Sequence, residues 1–392
     1  NLKKFFLQKP LEYYYPQKSY LSLIGITNER AIANKSIITI KGMLFWKLKK
    51  YIDKKFINKY SYIKTKKIKS SSLIESIEPI DHKMQCDGCG SKVPQYIIKK
   101  IFPRNLIFGS NDADTIVGTK NLLHTVDIIT SLIDDQYLMG RIAAKHSLND
   151  LYATNSFPLS VQMIIGIPKS LSIIQKRDIY QIKEGALSVF NELNIPINGG
   201  HTYSIDEEKA TIGFSLVGKR SIKTKKFTNN KGKQKIYMTG KIGTALVMAA
   251  LKQNIISGKY YNEVITEMSK SNLSVYEFFK KNNILNITDI SGFGLALHLN
   301  NLIIRNNNFK GANLYLDKIL ILEGAKKAIK NNIKSSLTDS NKSSLNNILE
   351  VKSKNKNFLN ILFDPQTAGG FLFITANKNI ILDLRKKNII FS

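Results

Sequence analysis

The chain has 392 residues and 43% hydrophobic against 22% charged positions, a composition that excludes wholesale disorder and suits two or three domains. No uninterrupted apolar run approaches the 18 or more residues of a bilayer span, and no signal-peptide pattern follows Asn1. The net charge of +30 comes from 59 Lys+Arg, and 52 of these are Lys. Arg, the usual tool for bidentate phosphate and base recognition, is scarce. The excess therefore reads as compositional drift that scatters Lys over solvated faces, and no nucleic-acid partner is expected.

Residues 1–80 carry 17 Lys+Arg and 5 Asp+Glu, so net +12 in a fifth of the length. The segment holds Tyr13-Tyr14-Tyr15-Pro16, an apolar run over Leu21–Ile26 and the single Trp46. Around it, Met43, Leu44, Leu48, Tyr51 and Ile52 alternate with lysines as in a basic amphipathic helix. Residues 41–60 show the only texture, a weak one, suited to contact with an anionic membrane surface. From Ile63 to Ser72 the chain turns Lys- and Ser-rich, as linkers do.

The pattern then becomes that of an α+β or α/β enzyme. Asn121–Ile129 predicts a strand and Gln136–Tyr152 a helix, through Leu138, Met139, Ile142, Ala143 and Leu148. Val161–Ile167 predicts a buried strand stopped by Pro168, and Ser170 is placed to cap the next helix, with its stripe of Ile174, Ile182, Ala186, Val189 and Phe190. Thr211–Val217 alternates as a strand, and Lys219–Lys235 marks a boundary. Further strands are expected at Ile236–Thr239, near Ala312–Leu316 and at Gly370–Thr375, with a helix from Thr244.

Acidic residues are scarce, so their placement carries information. Asp127 ends an apolar strand, Asp150 interrupts an apolar helix face beside Leu148 and Leu151, Asp289 precedes a Gly loop, and Asp112 sits in Ser-Asn-Asp-Ala-Asp. A carboxylate in such a place must be paired, hydrogen-bonded or metal-bound. Oxygen ligands from separated loops suit Mg²⁺ that also meets phosphates. Singly, each is better explained as a helix cap or turn residue, and only the four together favour a cation site. Gly clusters at Gly199-Gly200-His201-Thr202, Ser291-Gly292-Phe293-Gly294 and Asp364-Pro365-Gln366-Thr367-Ala368-Gly369-Gly370 let backbone N–H groups approach an anion, or simply make tight turns. Neither a P-loop nor a dinucleotide Gly-x-Gly-x-x-Gly occurs. The two cysteines lie in Cys86-Asp87-Gly88-Cys89, which excludes a disulfide-stapled secreted fold and cannot by itself close a zinc site. Lys92, three residues later, is placed to lower a thiol pKa or reach a phosphate.

Taken together these residues resemble selenophosphate synthetase (selenide, water dikinase) over about residues 84–385. Cys89-Gly90-Ser91-Lys92 looks like the family's Cys-Gly-x-Lys loop, and Asn111-Asp112-Ala113 its Asp-Asp-Ala with Asn first. Thr125-Val126-Asp127 is similar to Thr-Thr-Asp, and Gly140–Ala144 with Asn149–Ala153 to Gly-Arg-Ile-Ala-Ala…Ser-Asp-x-Tyr-Ala. The three Gly clusters follow in the family's order. Thr154-Asn155 stands where Met-Gly is usual, and the chain stops at Ser392, short of the family's final strand.

The resemblance implies a PurM-like (aminoimidazole ribonucleotide synthetase-type) α+β fold of two domains, its N-terminal halves pairing in a homodimer. It implies conversion of ATP, selenide and water into selenophosphate, AMP and phosphate in the cytoplasm. Cys89 and Lys92 would be catalytic. Asp112, Asp150 and Asp289 would hold Mg²⁺. Lys92, Gly109, Ser110, Asn111, Asp127, Asp150, Gly200, His201 and Thr202 would contact ATP. The expected layout is 84–219 for the ATP-binding domain and 228–392 for the second, after a linker at 64–83. Residues 1–63 are similar to the C-terminal end of an NADH dehydrogenase-like flavoprotein, with no flavin or NAD site assigned. The competing readings are another ATP-using enzyme of the same superfamily, a truncated inactive product (suggested by the ends at Asn1 and Ser392), and a basic protein that binds nucleic acid or a membrane surface.

Overall fold

A computed structural model describes residues 10, 13, 15–17, 19–26, 28–60, 87–88, 92–93, 112–221, 234–305, 309–345, 349–350, 352, 356–377, 379–387 and 389–392. The chain divides into two compact units, residues 1–80 and 81–392. In the first, β1 (Ser22–Ile26), β2 (Arg30–Lys35) and β3 (Ile38–Gly42) form an antiparallel meander, followed by α1 (Met43–Tyr60). The basic amphipathic helix expected around Trp46 is thus present. The sheet before it was not foreseen. Leu44, Tyr51 and Ile52 of α1 lie exposed.

The second unit begins, within the described residues, with β4 (Asp114–Thr115), β5 (Leu122–Thr130), α2 (Gln136–Ala153), β6 (Ser156–Pro168), α3 (Ser172–Phe190), β7 (Ile197–Ile205) and β8 (Thr211–Arg220). Its mixed sheet runs β4-β5-β8-β6-β7, with β6–β7 parallel and the other pairs antiparallel. Side chains alternate across a strand. Leu123, Ile129, Ile212, Phe214 and Leu216 therefore share one buried face with Val161 and Ile165. That face packs on Ile142 of α2 and on Ile182, Ala186 and Phe190 of α3. The opposite face leaves Val126 and Ile128 exposed.

Helix α2 starts at an N-cap, Asp135, whose carboxylate accepts the Leu138 N–H at 2.9 Å. It approaches α3 through Gly140 and Gly185. A Cβ at either would collide with the other helix's backbone, at the Ile182 and Tyr137 carbonyls respectively. At the far end Asn155 adopts φ 54°. Asn is the non-glycine residue best suited to that left-handed turn, and its side chain also donates to Ile284 O at 2.6 Å. Thr154-Asn155 in place of Met-Gly is accordingly compatible with the turn.

The rest of the unit comprises β9 (Lys235–Met238), α4 (Thr244–Lys252), α5 (Lys259–Ser269), α6 (Leu273–Lys281), β10 (Asn286–Asp289), α7 (Gly294–Arg305), α8 (Glu323–Lys330), α9 (Thr338–Ser343), β11 (Phe371–Thr375) and α10 (Ile380–Lys386). Its antiparallel sheet has the order β10-β11-β9. Tyr237, Phe278, Phe279, Phe371 and Phe373 interlock over it with centroids 5.3–5.9 Å apart. Such packing adds about 0.5–1.5 kcal/mol per pair beyond area burial.

Two local expectations need correction. Ser170 does not cap α3: the N-cap is Leu171, with no side-chain bond, and the Ser170 hydroxyl donates instead to Pro168 O at 3.4 Å. No strand forms at 312–316, because no strand among the described residues pairs with it. The segment runs irregularly into a 3₁₀ turn at Leu316–Lys318. The expected strands at β5, β6, β8, β9 and β11, and the helices at α2, α3 and α4, are all present, β6 beginning five residues earlier than expected. The Asn306–Asn308 loop lies outside the described residues.

Candidate active site

Alternation along β5 turns Thr125 and Asp127 toward α2, which presents His146 and Asp150 four residues apart on one face. The Thr125 hydroxyl donates to Asp150 Oδ2 at 2.6 Å. His146 Nε2 lies 2.8 Å from Asp127 Oδ2, and Lys92 Nζ lies 3.3 Å from Asp127 Oδ1. The C-terminal sheet supplies the opposite wall. Strand β10 ends in Thr288 and Asp289, and the Thr288 hydroxyl donates to Asp112 Oδ1 at 3.0 Å. Arg305, at the end of α7, reaches Asp112 Oδ2 at 3.3 Å. His298, one turn into α7, sets Nδ1 3.8 Å from Asp289 Oδ1 while its Nε2 accepts the Ser291 N–H at 3.2 Å.

The electrostatics divide the carboxylates. Burial pushes Asp150 well above the ordinary range, reinforced by the Asp289 and Asp127 carboxylates and opposed by the Thr125 hydroxyl. Burial likewise raises Asp289, against the pull of His146 and Lys92. Asp112 is pushed up to about 6 by burial in spite of Arg305. Burial would raise Asp127 too, but Lys92 and His146 outweigh it and hold that carboxyl well below the usual range. His298 is pulled down to about 4 by burial and is neutral at pH 7.

Asp112, Asp289 and His298 present ligand atoms that all lie within 4.8 Å of one another. Asp289 Oδ2 is buried with no hydrogen-bond partner among the described residues. A buried carboxylate oxygen in that state costs free energy unless a cation meets it. The two carboxylates are oxygen donors of the kind a hard divalent ion such as Mg²⁺ takes, whereas the His298 imidazole is a ligand of softer metals.

Lys92, Asp112, Asp127, Asp150 and Asp289, all foreseen from the sequence, are thus gathered from separate segments. Cys89, Gly109, Ser110 and Asn111 lie outside the described residues. Just before Cys89, Gly88 donates its N–H to Thr130 O at 3.1 Å, and Asp87 is paired with Lys209 and Lys252. Gly200, His201 and Thr202 are not brought to the cluster. They lie on the exposed edge strand β7, three strand steps from β5, or roughly 14 Å. Thr125, His146, Thr288, His298 and Arg305 were missed. Only His146 left a local signal, standing one helical turn before Asp150.

Residues 110–219 match the family model "AIR synthase related protein, N-terminal domain". The chain is 28% identical over 310 residues to a selenide, water dikinase of Pseudomonas straminea, covering 75% of this chain and 85% of the relative. It is also 28% identical over 332 residues to that of Carboxydothermus hydrogenoformans, covering 78% and 92%. Among solved structures it is similar to the thiamine monophosphate kinase of Aquifex aeolicus, with TM-score 0.51 and 14% identity over 72% of this chain and 86% of that one. The HypE–HypF complex gives TM-score 0.53 and 14% identity over 75% and 87%. These similarities, with the mixed sheet and helix content, support the PurM-like α+β fold expected from the sequence.

Proposed function

We propose that the chain is a selenide, water dikinase: it converts ATP, selenide and water into selenophosphate, AMP and phosphate. The observation that carries the reading is the convergence of Asp112, Asp127, Asp150 and Asp289 with Lys92 on one spot, in a chain similar over three quarters of its length to enzymes of that name. Phosphoryl transfer asks a protein mainly for positioning and charge neutralisation, which such a cluster supplies.

In this reading Asp112, Asp150 and Asp289 hold Mg²⁺, which on binding supplies neutralising charge to the polyphosphate. Asp127 contacts the nucleotide and, with its carboxylate fixed by His146, keeps the Lys92 ammonium at the reaction centre. Lys92 then stabilises charge on the transferred group. Cys89, three residues before Lys92, serves as the thiol that receives or presents selenium. Gly109, Ser110 and Asn111 complete the nucleotide contacts.

The side of the N-terminal sheet on which Val126 and Ile128 of β5 and Tyr203 of β7 lie exposed supports pairing of two copies through that side. The Gly200, His201 and Thr202 contacts to ATP belong to that paired form. A cytoplasmic location follows from the reduced thiols and selenide that the reaction requires. For residues 1–63 we retain the reading as the C-terminal end of a flavoprotein-like module, supported by the sequence resemblance alone.

The test follows ATP turnover with Mg²⁺, with and without selenide, under anaerobic reducing conditions. AMP and a selenium-bonded phosphorus signal in ³¹P NMR are expected, both lost in Cys89→Ser. ATP hydrolysis indifferent to selenide would move the assignment to another ATP-using enzyme of this fold.

A further inference from the structure

The face of α2 turned toward the C-terminal sheet grips the 364–370 loop. Lys145 Nζ donates to Ala368 O and to Glu267 O, each at 2.8 Å. The Ala368 N–H donates to His146 Nδ1 at 3.3 Å. Asn149 Nδ2 donates to Gly369 O at 2.9 Å and is itself braced by Asn272. Adjacent residues of one helix therefore hold both polar groups of Ala368.

Ala368 needs holding. It is buried and has φ 50°, a left-handed conformation that a side chain disfavours and that persists only where neighbours over-determine it. Its amide can only donate, so His146 Nδ1 must offer a lone pair. The ring proton of neutral His146 is then on Nε2, the nitrogen 2.8 Å from Asp127 Oδ2. A strained peptide in one half of the molecule thereby selects a histidine tautomer in the other.

Lys145 is buried, and burial pulls it down to about 7, with Lys270 and Arg141 acting in the same direction and Glu267 against. Either protonation state keeps N–H donors for both carbonyls, so the grip does not depend on its charge.

We propose that Lys145 is a positioning residue: by holding the Ala368 carbonyl it keeps the Ala368 amide on His146, which fixes the tautomer that orients Asp127. The tautomer stands on geometry alone, whereas its effect on ATP rests on the function proposed above.

The test uses the full chain with ¹⁵N-labelled histidine. The His146 ring signals are assigned by their loss in His146→Gln, and the ATP KM and kcat are measured alongside. The unsubstituted chain is expected to show His146 protonated on Nε2. Lys145→Met should give mixed tautomers and raise KM for ATP about tenfold, the weight of one buried hydrogen bond, with a smaller change in kcat. Lys145→Met/Ala368→Gly should regain the Nε2–H tautomer and most of the KM, because glycine takes a positive φ without strain. An unshifted tautomer in Lys145→Met, or no recovery in the double variant, overturns the proposal. If Lys145→Met does not fold, Lys145→Gln takes its place. A partial tautomer shift relieved by Ala368→Gly then supports the proposal, and an unshifted one overturns it. Absence of selenide-dependent AMP from the unsubstituted chain would overturn the proposed reaction and leave the tautomer readout standing.

Discussion

Two corners of the candidate site hold similar groups in opposite circumstances. Asp127 has Lys92 and His146 within 3.3 Å and is held strongly acidic. Asp150, 23 residues later and facing the same space, has a threonine hydroxyl and other carboxylates, and its pKa is driven up. The first corner is complete as a protein structure. The second carries an electrostatic debt that the fold leaves open, and an unsettled carboxylate group is what a cation site requires.

Neutralising one member of each corner separates them most sharply. Asp150→Asn should cut Mg²⁺-dependent ATP turnover by about 10³-fold, the scale of losing a metal ligand at a phosphoryl-transfer site. The same change should raise the melting temperature measured without Mg²⁺, because a buried, opposed carboxylate is gone. Asp127→Asn should move stability the other way, by about 3 kcal/mol in urea unfolding, since it strips a part-buried pair of its anion. If both variants shifted stability in the same direction, the division between the corners would fail.

Mg²⁺ alone should then raise the melting point of the unsubstituted chain by a few degrees, roughly the shift produced by millimolar ion over a micromolar-range site. A thermal-shift titration should find that rise reduced in Asp289→Asn and nearly intact in Asp127→Asn. The smallest expected effect is a pH dependence. Lys145 is held at about 7 when folded against an ordinary 10.5, so the unfolded chain binds more protons between those values. Stability from this group must therefore rise as pH rises from 7 toward 10.5. Comparing melting temperatures at pH 7 and 9 should show a smaller rise in Lys145→Met.

The same contrast explains what the sequence made legible. Asp127, Asp150 and Asp289 stood out because an acid in an apolar stretch is anomalous within a few residues of itself. Arg305 did not, because it meets Asp112 across 193 positions and a lone Arg at the end of an apolar helix is not odd where it stands. An apolar run located β5 and side-chain alternation located β8, but 312–316 was misread, where a strand-like stretch finds no partner strand among the described residues. The β1–β3 meander was overlooked for the opposite reason: short strands, with Arg30, Asn34, Lys35 and Lys41 among them, hide the period that pairing later reveals. Ser170 had the chemistry of a cap, yet its hydroxyl found the Pro168 carbonyl first.

Strand β5 has one further consequence. Asp127 points to one side of it, and its immediate neighbours Val126 and Ile128 point to the other. The strand is a single peptide thick, so a second molecule seated on Val126 and Ile128 would press on the same backbone that aims Asp127. Quaternary structure and nucleotide affinity would then share a lever arm one residue long. Dilution should weaken ATP binding per chain, and a charged residue at position 126 should do so without altering any group that faces the nucleotide.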